Sequence, residues 1–405
     1  MPRPRRPKTT PRPIHYPGIP IQPLPILSPV NCSSTKMTDT TPQKEQATVG
    51  EAKVLTPEEI KKIHDEIVDG HGDVEDEFQD AAEEEDSEEV NGANAVTFDV
   101  TDEELAKIRS ELAKAFPDDY EYLSDAYVLS VASKPYSKDP TVRRPLDYTL
   151  EKLKNVMTWR EGAGAPDMED LIRMAQLPET DPKIVEDPEK YVKVKALATS
   201  LNAASSYWHG LTKDGKPILW VRTDRKPWYP DADAEVNALI ALADAGIRAM
   251  PKDTTDFVVL SDSNAPPPPH PTFMINMLKA LVRGYPDRLA MLISAPVGSV
   301  IQFVMNLLLP LMPGRLSSKV VLIGAEDVTE KLGEILLNGK DDIPTFFGGP
   351  VDHDKLYPPE ESLASSWLMG GAADDKPGIL KFDYFGMVER LEKEVKDYEE
   401  KKSSE

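Results

Sequence analysis

Chemistry-bearing residues are sparse in this chain and stand far apart. Cys32 is the one cysteine, so no disulfide forms within the chain, which fits a reducing compartment. The histidines fall at positions 15, 64, 71, 209, 270 and 353, with no second thiol to complete a zinc set. No G-x-S-x-G elbow, no phosphate-cradling G-x-x-x-x-G-K-[ST] loop and no H-E-x-x-H helix occurs. The expectation is a protein that is not an enzyme and needs no metal or cofactor. "GAGAP" at 162–166 has glycines near a helix start, but no strand precedes it, so it is expected to be a linker. Asp262 and Ser263 close the apolar run "DFVVLSD", at the strand end where open α/β sheets hold ligands. The same pair fits a turn into the rigid run "NAPPPPHP", with His270 packed beside it.

A different chemistry is offered by "SVIQFVMNLLLPLM", residues 299–312. On a helix, Val300, Phe303, Val304, Leu307, Leu308 and Leu311 share one apolar face. Ile301, Met305, Leu309 and Met312 widen that face until little polar surface is left. Such a helix is buried on all sides, or it faces something other than water. One reading is a central core helix. The other is a wall over an apolar cavity, where Met and Leu side chains adapt to a flexible ligand. Pro310 and the pair Pro313-Gly314 then make a hinge at its end. The segment is too short to cross a bilayer, and no run of 18 apolar residues occurs elsewhere.

The chain has 405 residues and a formal charge of −23, from 70 acids against 47 bases. That balance argues against nucleic acid, which needs clustered Lys and Arg. The charge is uneven. Residues 1–38 hold Arg3, Arg5, Arg6, Lys8, Arg12 and Lys36 and no acid; residues 39–104 hold 23 acids and four bases. Like charges repel and bury nothing, so 1–98 is expected to be disordered, basic and proline-rich over 1–38 and acidic over 39–98. A short helix is expected at 57–69. Prolines interrupt any signal or transit helix in 1–38, so this piece is expected to be an untargeted extension, or translation begins at Met37. The acidic tail is a candidate contact for a protein partner.

Periodicity supplies the frame that would position these residues. "TDEE" at 101–104 is a capping box, and helical spacing runs from there to about residue 205. Within it, Leu146, Leu150, Leu153, Val156, Met157 and Trp159 are expected to point inward. "YWHGLTKDGKPILWVR" then reads as two strands joined at Asp214-Gly215. Short apolar strands follow at "DFVVLSD", "RLAMLISAP" and "KVVLIG", separated by helices. This alternation predicts an α/β fold with a mainly parallel sheet. The final helix carries an apolar edge of Phe385, Val388, Leu391 and Val395, suited to docking.

Several pieces occur in a fixed order over about seventy residues. They are Tyr285-Pro286-Asp287-Arg288-Leu289, Ala295-Pro296, the long apolar helix, Ser318-Lys319-Val320, and Ile343-Pro344 with Phe347-Gly348-Gly349. Together with the opening hairpin and "LEKLKNVMTWRE", this set resembles the CRAL-TRIO lipid-binding domain family, phosphatidylinositol/phosphatidylcholine transfer proteins among them, over residues 101–356. The resemblance implies a helical amino-terminal module at 101–200 and the lipid-binding domain at 201–356. A polar loop and carboxy-terminal helix at 357–405 complete the chain. It implies that the sheet floors a lipid pocket and that the apolar helix is its gate. Asp287 and Lys319 then hold the lipid headgroup, with Arg288 beside them; read without the motif, the three fit a surface salt bridge at strand ends.

The implied function is a lipid-binding and lipid-transfer protein for phosphatidylinositol or phosphatidylcholine, cytoplasmic and peripheral at membranes. The alternatives are a carrier of a tocopherol, retinoid or carotenoid, and a lipid-sensing scaffold. The chain departs from the pattern in places. "DAYVLSVAS" stands where members carry an arginine-rich helix, and Arg143 and Arg144 come later, in an expected loop. Leu316 replaces a threonine three residues before the lysine, and Ser294 replaces an asparagine. These changes bear on phosphatidylinositol recognition more than on the pocket.

Overall fold

The computed structural model describes residues 97–136, 139–227, 230–267, 270–298, 301–302, 305, 309, 314–360 and 379–404. The chain divides into two units, 1–53 and 54–405, and every described residue lies in the second. The expectations for residues 1–96, including the helix at 57–69 and the start at Met37, lie outside the described residues.

The first helix, α1 (Asp102–Ala115), begins at the capping box. The Thr101 hydroxyl accepts from the Glu104 N–H at 3.3 Å, and the Glu104 carboxylate accepts from the Thr101 N–H at 3.0 Å. Helix α2 (Asp125–Ala132) and helix α3 (Leu146–Gly162) pack on it. Ile108, Leu112, Val128, Val131, Leu153 and Met157 form their common core. A hairpin that helical periodicity did not predict separates α2 from α3: β1 (Pro135–Tyr136) pairs antiparallel with β2 (Asp139–Arg143). It corrects the reading of 101–205 as wholly helical, and it puts Arg143 at a strand end rather than in a loop. The reason is composition: β1 is two residues long, and β2 reads Asp-Pro-Thr-Val-Arg, with one apolar side chain besides its proline and so no strand-like run.

Helices α4 (Met168–Ala175) and α5 (Pro188–Asn202) bury Ile172, Val194, Leu197 and Leu201 in a second core, the one that also holds the sheet. Five strands follow: β3 (Ser206–Leu211), β4 (Pro217–Arg222), β5 (Phe257–Asp262), β6 (Leu289–Ala295) and β7 (Val320–Leu322). Their order in the sheet is β3-β4-β5-β6-β7. The β3–β4 pair is antiparallel, and Gly215 takes φ +82° at their turn, a conformation that costs glycine little. The other pairs are parallel, in the register Leu219↔Val259, Val259↔Leu292 and Leu292↔Val320. The sheet is thus mainly parallel, as the alternation of short apolar runs and helices predicts.

Helix α6 (Ala232–Ala249) follows β4, and helix α7 (Pro271–Lys279) runs into a π-helical turn at Ala280–Gly284 before β6. Helix α8 (Val328–Ile335) follows β7, and α9 (Tyr384–Ser404) closes the described chain. The docking edge of α9 is centred on Tyr384, Met387, Leu391 and Val395, which are buried. Phe385 and Val388 are partly buried at its border.

Candidate functional site

The segment joining α7 to the sheet sets the geometry. Asp287 adopts φ +61°, the left-handed region, which aspartate tolerates better than most side chains. Its carboxylate is thereby turned toward the amino-terminal helices. Lys134, just after α2, approaches Asp287 Oδ1 at 2.6 Å. Arg144, just after β2, lies 3.6 Å from Oδ2, and Lys152, on α3, lies 3.9 Å from it. Three bases therefore converge on one carboxylate. Arg144 is 2% exposed and Lys152 6%. Burial by itself would raise the Asp287 carboxyl; the charges of Lys134, Lys152 and Arg144 overcome it and hold the group well below the usual carboxylate range. Oδ2 of Asp287 and Nε of Arg144 are nonetheless buried without a hydrogen bond.

Arg288 is also buried. Its guanidinium stacks 3.5 Å from the Tyr127 ring centre, Nη1 donates to the Thr255 carbonyl at 2.9 Å, and Nη2 has no partner. Tyr127 in turn donates to the Pro286 carbonyl at 2.7 Å. Lys319 stands at the start of β7, and its Nζ donates to the Leu289 carbonyl at 2.5 Å. Asp287 and Arg288 thus directly precede β6 and Lys319 directly precedes β7; bases from the helical part pair with Asp287, while Lys319 reaches the β6 backbone at Leu289.

Sequence reasoning missed Lys134, Arg144 and Lys152. Lys152 had a signal: it falls in the helical series Thr149, Leu153, Val156 and Arg160, all buried in α3. A base at such a position needs a buried partner. Arg144 lies in the loop between β2 and α3, as expected, but it is buried there, which the sequence did not show.

A second buried group ties α3 to α6. Arg160 Nη1 donates to Asp244 Oδ1 at 2.9 Å, and the hydroxyls of Tyr122 and Tyr285 donate to the same oxygen at 3.1 and 2.8 Å. Gly284 is required beside it, because a Cβ there would lie 2.1 Å from the Trp159 ring. A cavity of about 580 Å³ opens over this group, bordered by Asp119, Glu121, Met168, Glu169, Arg248 and Tyr384. Its rim is charged, so it is not the oily chamber that an apolar gate would cover.

Of that gate, Ile301 and Met305 are helical and buried, and Gln302 is exposed. Val300, Phe303, Val304, Leu307, Leu308, Pro310, Leu311 and Pro313 lie outside the described residues. Gly314 opens a short helical turn, Gly314–Ser317. At the opposite, carboxyl ends of the strands, Asp262 is paired with Arg222 at 3.1 Å and Ser263 bonds Ser294 at 2.7 Å. His270 Nδ1 caps α7 by accepting from the Phe273 N–H at 3.3 Å. Asp262, Ser263 and His270 are therefore held in structural contacts.

The model of the CRAL/TRIO domain matches residues 201–349, which span β3 through the Gly348-Gly349 turn. Residues 201–349 form a CRAL/TRIO domain. Asp287, Arg288 and Lys319 lie inside it, whereas Lys134, Arg144 and Lys152 come from the helices that precede it. No curated protein matches the chain. A solved structure called "Crystal structure of Sfh5" is 13% identical, covering 85% of this chain and 99% of that one, with a TM-score of 0.37. Among the described residues, no helix of the CRAL/TRIO domain or its flanks is long and apolar enough to cross a membrane.

Proposed function

We propose that this chain encloses a phospholipid, phosphatidylinositol or phosphatidylcholine, within its CRAL/TRIO domain and exchanges it at membranes. The domain itself supports lipid binding and transfer in general. The reading of a phosphate-bearing headgroup rests on one observation: Lys134, Arg144 and Lys152 crowd a single carboxylate at the strand end where Arg288 and Lys319 also stand in the chain. Bases in excess of acids in a poorly solvated place favour an anion, and arginine offers a fork that fits phosphate oxygens. These bases stand in for the arginine-rich helix that the sequence lacks. In this reading Lys319, Arg288 and Arg144 face the phosphate, and Oδ2 of Asp287, which makes no hydrogen bond within the chain, accepts from a headgroup hydroxyl.

The tails supply affinity and the headgroup supplies choice. Burying one methylene is worth about 0.8 kcal/mol, so two sixteen-carbon chains gain on the order of 25 kcal/mol against water. A bilayer offers nearly the same environment. Exchange between the two is close to neutral, and the barrier is the passage through water. An apolar helix that opens at the membrane surface lowers that barrier. A phosphate left unpaired would cost several kcal/mol, so identity is decided at the bases.

Transfer of labelled phosphatidylinositol between vesicles tests the proposal. Lys319→Glu is expected to slow it about tenfold or more, since a hydrogen bond to a charged group is worth roughly 1.5–3 kcal/mol. Transfer at the unaltered rate would remove Lys319 from the headgroup site.

A further inference from the structure

Where α5, β3 and α6 meet, three residues that border one small space each carry a buried oxygen without a hydrogen-bond partner. The oxygens are Ser200 Oγ on α5, Ser206 Oγ at the first residue of β3, and Glu235 Oε1 in the first turn of α6. Their residues are 3%, 6% and 1% exposed. The space is about 10 Å³, close to the room that one water centre occupies. The other Glu235 oxygen, Oε2, already accepts from Lys226 Nζ at 2.7 Å, so the carboxylate's charge is balanced within the protein. Buried polar groups left unmatched are costly, and three at one point call for a shared partner.

We propose that this junction is a binding site for a single structural water. The molecule donates to Glu235 Oε1 and to one serine oxygen and accepts from the other serine hydroxyl. That gives it three bonds, the usual number for an internal water. An uncompensated carboxylate would favour a monovalent cation; the Lys226 ion pair removes that demand. The site connects the last helix before the sheet, the first strand of the sheet and the helix packed over it. It therefore fastens the helical part to the CRAL/TRIO domain by a bond that no side chain makes alone.

Crystals of the full chain, grown in sodium chloride and in rubidium chloride, provide the first test. The expected result is one density peak within hydrogen-bonding distance of all three oxygens and no anomalous rubidium signal. An anomalous peak would replace the water with a cation. Absence of density, with the three oxygens bonded directly to one another, would overturn the proposal. Thermal unfolding of Ser200→Ala, Ser206→Ala and the double variant provides the second test. Each single change is expected to lower Tm by about 2 °C. The double variant should lose clearly less than the sum, because both serines act through the same water. Strictly additive losses, or none, would count against a shared molecule.

Discussion

Asp287 is the residue on which the helical part and the sheet both depend. It is reached by bases from three separate segments, and its backbone is held in the left-handed region. Without its charge, Arg144 and Lys152 would face one another in a poorly solvated place. Removing one member of a buried ionic group typically costs about 3–5 kcal/mol, mostly from the charges left behind. Asp287→Asn keeps the shape and tolerates the same backbone angle. Its urea unfolding should therefore show a loss of about 3 kcal/mol, and a change under about 0.5 kcal/mol would mean that the three bases are solvated after all. The motif Tyr-Pro-Asp-Arg-Leu was legible in the sequence. Its three basic neighbours were not, because charges on helices are ordinarily read as solvent-facing. Only the burial of Thr149, Leu153 and Val156 around Lys152 reveals otherwise.

At the scale of elements, the docking of α9 on β3 is a titrating contact. Glu394 on α9 accepts from the Gly210 N–H at 2.8 Å, and His209 Nδ1 stands 3.5 Å from its other oxygen. Burial raises Glu394 from its ordinary 4.5 to about 7, the Gly210 N–H opposing. Burial pushes His209 from 6.5 down to about 4, and His353 further below the same value. The signs differ. Folded Glu394 keeps a proton that the unfolded chain releases, so its contribution is present below about pH 4.5 and gone above about 7. The histidines contribute above about 6.5 and lose that contribution on acidification. Glu394→Gln deletes only the first effect and can still accept from Gly210. Its Tm relative to the unaltered chain should therefore climb between about pH 5 and 8. A flat difference across that range would show that the carboxyl titrates normally, as its 31% side-chain exposure would permit.

The elements themselves differ in how far they could be read. Strands β4 to β6 announce themselves as short apolar runs because most of their residues are buried under packed neighbours, and the edge strand β7 does so by its run of Val320, Val321 and Leu322 alone. The hairpin of β1 and β2 does not, since β1 is two residues long and β2, Asp-Pro-Thr-Val-Arg, offers no apolar run. Trp159 was expected inward with the rest of α3, and it does pack, but on the sheet's core rather than on that of the first helices. Helical spacing gives the face of a residue, not which of two cores receives it.

Across the molecule, a chain of formal charge −23 collects bases around one acid at the joint between its helical part and its CRAL/TRIO domain. A strongly acidic protein is repelled by anionic surfaces, so a local basic group serves recognition of one bound anion better than general adhesion. The most direct measurement is mass spectrometry of the lipid extracted from the full chain purified from its source. The account predicts one phospholipid per protein, carrying phosphatidylinositol or phosphatidylcholine, and its loss from Lys319→Glu. A neutral isoprenoid in the extract, unaffected by that substitution, would contradict it.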